Sequence, residues 1–223
     1  RREDTLIKIF SGTIKVLVII FTAMMLLSEV GLDVGPLIAG AGIIGLAIGF
    51  GGQYLVKDVI TGLFIILENQ YRVGDVVTIS GISGGVEDIT LRVTTLRDAD
   101  GTVHHIPHGQ ISTVSNKAKG FAKVNMNIGI AYETDLDHVI KVVNKVGKKL
   151  AEDKEFADFI ISAPEFVRVD EFADSAVVIK IMGEVAPLKQ WSIAGELRKR
   201  LKIAFDKEGI DIPYPQRVMI QKK

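Results

Sequence analysis

The residues able to do chemistry are few in this chain, and most have a simpler explanation. His104, His105 and His108 lie close together, and imidazoles in such a run suggest a metal centre. His104 and His105 are adjacent, however, so a strand would send them to opposite faces. His108 follows Pro107 at a turn, and no acidic residue stands at metal-ligand spacing. The three read as surface strand and loop histidines. Asp98 and Asp100 offer paired carboxylates, but Asp100-Gly101 is a turn signal that accounts for them better. Arg92 and Arg97 suit salt bridges between subunits and an ordinary solvated pair equally well. Gly40-Ala41-Gly42-Ile43-Ile44-Gly45 has the G-x-G-x-x-G spacing of dinucleotide sites. No strand precedes it and it lies in an uncharged stretch, so that reading is rejected. No serine or threonine has a visible base. With no cysteine there is no disulfide, thiolate nucleophile or Cys-ligated zinc. Neither an enzyme nor a cofactor or metal protein is expected.

The elements are more informative. The chain has 223 residues, 48% hydrophobic and 24% charged, with 27 basic and 27 acidic side chains. Zero net charge and the lack of interleaved arginine and aromatic residues argue against a nucleic-acid partner. Most of the apolar excess precedes residue 70. Residues 9–28 carry only Lys15, and residues 34–56 carry no charge. A helix needs ~20 apolar residues to cross a bilayer, so both segments can span. Lys57-Asp58 interrupts, and residues 59–67 are apolar but too short to cross, which reads as an interfacial or partner-packed helix. Arg1, Arg2 and Lys8 precede the first span, while Glu29 and Asp33 occupy the hairpin. The positive-inside rule then starts the chain in the cytoplasm and returns it there near Lys57.

The remainder divides by pattern. Residues 71–126 are rich in Val, Ile, Thr and Gly, with turn signals at Ser83-Gly84-Gly85 and Asp100-Gly101, and predict a small all-β domain. Residues 127–210 predict an α+β layer. Its parts are a strand at 124–131, a helix capped by Thr134 or Asp135 and running to about 152, strands at 166–172 and 176–185, and a helix at 188–207 closed by Gly209. Trp191 is expected in the core of that last helix. Residues 211–223 predict a terminal strand at 217–221. The expected domains are therefore 1–70, 71–126, 127–210 and 211–223.

Residues 34–56 hold seven glycines, costly in a helix unless close packing needs them. At about 100° per residue Gly42, Gly45, Gly49 and Gly52 form one stripe, and Ala39, Ile43 and Ala47 a second. Small residues let helices approach closely in lipid. A helix grooved on one flank and ridged on the other suits packing against copies of itself around a ring. Leu46 and Phe50 project between the flanks and become the expected pore lining, an apolar constriction that gates by dewetting. An ordinary helix bundle with a Gly-rich span is the plainer alternative.

The stretch from Leu37 to Phe50 resembles the Ala/Gly pore helix of the mechanosensitive channel of small conductance (MscS) family. Gln53 is similar to the polar residue at that helix's kink, and Gly51 and Gly52 stand ready to supply the bend. Arg72-Val73-Gly74-Asp75, the run from Gly85 to Arg97 followed by Asp100-Gly101, Ile106-Pro107-His108-Gly109 and Pro213-Tyr214-Pro215-Gln216 resemble further family motifs in the same order. Tyr54 departs from the family, standing where the kink glycine usually lies. So does Ile43, where a ridge alanine is usual, and Phe50, where leucine is usual at the second constriction.

The resemblance implies a homoheptamer in the inner (plasma) membrane with three transmembrane helices per subunit, the first expected upstream of Arg1. It implies a kinked pore helix, a cytoplasmic β domain, a ferredoxin-like α+β domain and carboxy-terminal strands closing a barrel. It also implies opening under membrane tension, with release of ions and small solutes on hypo-osmotic shock. Its expected partners are other copies of the chain, membrane lipids and the permeating solutes. The competing class is a membrane-anchored, ring-forming scaffold without conduction. Because no charge lies between residues 34 and 56, no charged ring filters ions at the constriction. Reversal potentials in asymmetric salt should show only weak selectivity, with any bias removed by neutralising charges beyond residue 70.

Overall fold

A computed structural model describes residues 2–217 and 219. Two long helices come first. Helix α1 spans Arg2–Glu29 and ends in a paired cap: Gly31 takes φ +82°, its amide donates to the Ser28 carbonyl, and the Leu32 amide donates to that of Leu27. Glycine makes the left-handed residue of such a cap inexpensive. Asp33 Oδ1 then accepts from the Gly35 amide at 2.8 Å, opening α2, Gly35–Leu67. Helix α2 runs unbroken through Lys57-Asp58, where the sequence predicted an interruption. Charged side chains stop a membrane span but do not stop a helix. Its end repeats the cap of α1 with Asn69 at φ +51° and Gln70 donating to the Ile65 carbonyl.

The chain forms two compact units that divide between Lys57 and Asp58, inside α2 and not at the expected residue 70. The physical reason is burial, because the last turns of α2 bury Asp58, Gly62 and Ile65. Ile65 belongs to the core formed by Tyr71, Val77, Ile79, Val86, Leu96 and Ile106.

That core lies under a five-stranded antiparallel sheet. Strands β1 (Val76–Ile79), β2 (Ile82–Ile89), β3 (Val93–Arg97), β4 (Val103–Pro107) and β5 (Val114–Asn116) are ordered β4-β3-β2-β1-β5. Burial alternates along β1 and β3, the period-2 signature of a sheet with one covered face. The β1–β2 hairpin turns at Ser80-Gly81, both at positive φ, as two-residue hairpins require. The turn expected at Ser83-Gly84-Gly85 is instead part of β2, where a Cβ on Gly84 would lie 2.5 Å from the Arg97 carbonyl oxygen. That glycine serves close strand approach.

The second layer comprises β6 (Ala122–Ile130), α3 (Leu136–Ala151), β7 (Ile160–Phe172), β8 (Val177–Val185) and α4 (Gln190–Glu208). Strand order is β6-β8-β7, with β8 antiparallel to both neighbours. This is the split βαβ arrangement of ferredoxin-like folds. Asp135 caps α3 by accepting from the Asp137 amide, and Gly209 at φ +66° closes α4. Strand β7 starts six residues before the expected position. Its register shifts and Pro164 obscure the alternation that marks a strand. In α4 the core positions are Ile193, Leu197, Leu201 and Phe205. Trp191 falls off that stripe and is 53% exposed, contrary to expectation. The expected strand at 217–221 lies mostly outside the described residues; Arg217 and Met219 belong to no regular element.

Pro164 sits where a Cβ on Gly147 of α3 would strike its carbonyl oxygen and one on Gly183 of β8 would lie 2.8 Å from its Cα. Overpacking of this kind costs about 1–3 kcal/mol. Gly147→Ala should therefore lower the thermal midpoint of the purified protein. Gly195→Ala, exposed on α4 with nothing near its Cβ, should leave it unchanged or raise it slightly.

Candidate pore helix and its anchorage

The first half of α2 has little to pack on within its own chain. Ideal Cβ atoms on Gly40, Gly42, Gly45, Gly49, Gly51 and Gly52 meet nothing within 4 Å. Leu46 and Phe50 are 65% and 73% exposed, and Ile43 is as open. An apolar groove runs between α1 and α2, lined from α1 by Leu17, Phe21 and Met24 and from α2 by Ile38, Ile44 and Ile48 among others. Gly42 and Gly45 also line it, so part of the glycine stripe faces α1 of the same chain. Leu46 and Phe50 do not line this groove; by helical phase they lie away from its floor, with Ala39, Ile43 and Ala47 beside them. Gly51, Gly52 and Gln53 lie within unbroken helix.

Where α2 leaves the uncharged stretch it is held by a polar cluster. Asp58 is 5% exposed. Its Oδ1 accepts from the Gly109 amide at 2.7 Å, and its Oδ2 accepts from Arg92 at 3.2 Å. One turn further on, Gly62 allows the closest approach in the joint. A Cβ there would collide with His108 Nδ1 and the Leu91 carbonyl oxygen. His108, expected at the surface, is fully buried. The 3-10 turn His108–Gln110 after β4 folds the imidazole under the sheet, and its backbone amide donates to the Arg92 carbonyl. Its Nε2 lies 2.9 Å from Thr94 Oγ1, which lies 2.8 Å from the Tyr71 hydroxyl. Thr94 and Tyr71 are buried too. Burial pushes the His108 imidazole below its ordinary pKa, against the Leu91 carbonyl and Asp58, which pull it upward. Burial pushes the Tyr71 phenol up.

The other chemistry-bearing residues serve structure. His104 Nε2 meets Asp98 at 2.9 Å, and that contact comes first among those lowering the Asp98 carboxyl. Arg97 pairs with Glu87 and Arg92 with Asp58, so both arginines find partners within the chain. Among the described residues no group of three or more His, Cys, Asp or Glu is placed to hold a metal. Sequence reasoning missed Asp58, Gly62, Tyr71, Thr94 and His108. The only signals were one acid and one glycine at helical spacing just after an uncharged run.

Comparison with known proteins agrees with this architecture. Residues 12–53 match the mechanosensitive ion channel domain described as transmembrane helices 2/3, residues 54–119 match its beta-domain, and residues 124–212 match the MscS C-terminal domain. The chain is 36% identical to a small-conductance mechanosensitive channel of Caldanaerobacter subterraneus, over 99% of this chain and 77% of that one. It is 36% identical to the moderate conductance mechanosensitive channel YbiO of Escherichia coli, over 95% of this chain but 29% of that longer one. In fold it is similar to Helicobacter pylori MscS in its closed state, with a TM-score of 0.78 and 23% identity over 93% of this chain and 81% of that one. It is also similar to Arabidopsis thaliana MSL1, with a TM-score of 0.70 and 17% identity over 93% and 76%. A membrane protein with apolar helices, a β domain and an α+β domain in this order is of the mechanosensitive-channel class. The chain belongs to the MscS family.

The anchorage is testable. Asp58→Ala leaves the partly buried Gly109 amide without its acceptor, a loss of about 1 kcal/mol, and Gly62→Ala forces His108 out of place. Both should raise amide hydrogen exchange in residues 58–67 and 105–110 while leaving α3 and α4 protected. Asp58→Asn, which keeps an acceptor oxygen for Gly109, should exchange less than Asp58→Ala.

Proposed function

We propose that the chain is one subunit of a homoheptameric, weakly selective channel opened by membrane tension, with α2 lining the pore. The observation that carries this reading is the first half of α2: an uncharged helix with glycines that touch nothing and large apolar residues left open. Copies of the same helix supply the missing surface. Gly49, with Gly42 and Gly45 at the groove edge, forms one flank, and Ala39, Ile43 and Ala47 form the other. Leu46 and Phe50 then face the ring's centre. A helix of 33 residues is about 50 Å long, well beyond the ~30 Å hydrocarbon core. A bend at Gly51-Gly52-Gln53 would let the half ending at Leu67 lie along the interface. The subunit lies in the plasma membrane, with the β domain (71–126), the α+β domain (127–210) and residues 211–223 on the cytoplasmic side. Lipid contacts α1 and the outer face of α2, and ions and small solutes permeate.

Leu46 and Phe50 lie one turn apart, ~6 Å along the axis, and would form two stacked apolar rings. Such rings exclude water from a pore wider than an ion. Purified protein in liposomes under suction should conduct, which separates a channel from a ring-forming scaffold. Leu46→Asn or Phe50→Ser should leak at zero suction, because a polar ring wets the constriction. Ile44→Asn and Ile48→Asn, in the groove against α1, should not. Leak from the Ile48 variant without leak from the Leu46 variant would reassign the pore face.

A further inference from the structure

His108 is the one fully buried titratable group in the anchorage, and it lies outside the proposed pore lining. Burial disfavours the charged ring, against the Leu91 carbonyl and Asp58, which favour it. Tyr71 and Thr94 supply two hydroxyl protons to a chain that ends at His108 Nε2. In one tautomer of the neutral ring the Tyr71 hydroxyl donates to Thr94, Thr94 donates to Nε2, and Nδ1 carries the hydrogen. Nδ1 has no hydrogen-bond partner of normal geometry; it and the Leu91 carbonyl close together over Gly62. A proton on Nε2 reverses the chain. Thr94 must then accept from the ring and turn its own hydrogen to Tyr71, and the Tyr71 hydroxyl is left to find a new acceptor inside the sheet. What sets the charged ring apart is the burial of its charge, which is costly.

Every element around the ring contributes to this balance. From α2 comes the Asp58 carboxylate, which favours the cation but is already engaged by the Gly109 amide and Arg92. From the β2–β3 connection come the Leu91 carbonyl, which favours a hydrogen on the ring, and the half-exposed Arg92 guanidinium, which is paired with Asp58. From β3 comes Thr94, and from the segment after α2 comes Tyr71, both uncharged. The ring is sealed from solvent, so a proton reaches it only through a local opening of the structure around it.

We propose that His108 is a proton-operated catch between the last turns of α2 and the β sheet, closed while the ring is neutral and released when acidification of the surrounding compartment protonates it. The sign follows from linkage. Folding favours the neutral ring, so the released state binds more protons. The stabilising effect is complete above the ordinary histidine pKa of about 6.5 and is lost as pH falls below it. The catch goes beyond the proposed channel function in its structural part and rests on that function only in its effect on gating.

Three measurements test it. In the purified wild-type protein, hydrogen exchange at the imidazole C2 position, read by mass spectrometry, reports each histidine's titration. His108 should titrate below the ordinary histidine value of about 6.5; an ordinary midpoint would overturn the proposal. Second, the thermal midpoint is compared between about pH 7.5 and about pH 5.5. The wild type should lose several degrees, and in His108→Gln, which keeps a partner for Thr94 but cannot titrate, that loss should be at least halved. Parallel losses would overturn it. If His108→Gln does not fold, wild-type amide exchange in residues 58–67 and 105–110 replaces this comparison. A rise on acidification supports the catch and constant protection overturns it. Third, with acid on the cytoplasmic face of excised patches, the wild-type tension threshold should shift and that of His108→Gln should not. No conduction at any pH would remove the channel reading while leaving the first two results decisive for the catch.

Discussion

Burial of the first half of α2 is the constraint on which the rest of the molecule depends. A helix satisfies its own backbone, so lipid accepts it as an element. It does not satisfy the conformational cost of its glycines, each worth up to ~1 kcal/mol relative to alanine. Within the chain only the groove against α1 covers any of that surface, reaching Gly42 and Gly45 and leaving Gly49 and the Ala39–Ile43–Ala47 flank open. Without a hydrophobic driving force between helices in lipid, close backbone contact must supply the attraction. Copies of the same helix are the surface that fits, since a smooth flank and a ridged flank occur on one element. Assembly and the apolar lining between those flanks therefore have one cause.

The second half of α2 obeys the opposite rule. From Asp58 onward its side chains meet protein, and the contacts become polar and directional. Asp58 accepts from a backbone amide and an arginine, and Gly62 brings the helix backbone against an imidazole and a carbonyl. One hydrogen-bond ladder runs through both halves.

Much of this was legible in the amino-acid order. The two spans, the glycine stripe, the Asp135 and Gly209 caps and the alternation of strand and helix after residue 122 follow from local periodicity and turn chemistry, and the family motifs fixed their order. The losses share a different origin. The Lys57-Asp58 pair marks the end of the uncharged run, yet helical hydrogen bonding ignores it. His108 looks like a loop histidine because nothing in Ile106-Pro107-His108-Gly109 shows that a glycine 46 positions earlier leaves room for its ring. Trp191 invites a core assignment by size, but the stripe of α4 begins two residues later at Ile193, about 200° around the helix. Such contacts are long-range, and single-sequence periodicity carries no information about them.

A polar joint also explains why the cluster is not simply apolar. Leucines against valines would hold α2 to the sheet in many nearby registers, because dispersion is indifferent to small slides. The Asp58–Gly109 and Asp58–Arg92 bonds cross from α2 to the sheet side and hold only near one register, while the His108–Thr94–Tyr71 bonds lie within the β domain and fix the ring that Gly62 packs on. Any slide leaves a buried donor or acceptor unpaired, at a cost comparable to the whole net gain from each bond. The joint is therefore held in place or released, with little between, and buried polar networks of this kind set position more than they add stability. If α2 leaves the sheet and returns, as the proposed catch requires, such a network returns it to the same place, and its charged and titratable members are what would make the release depend on pH.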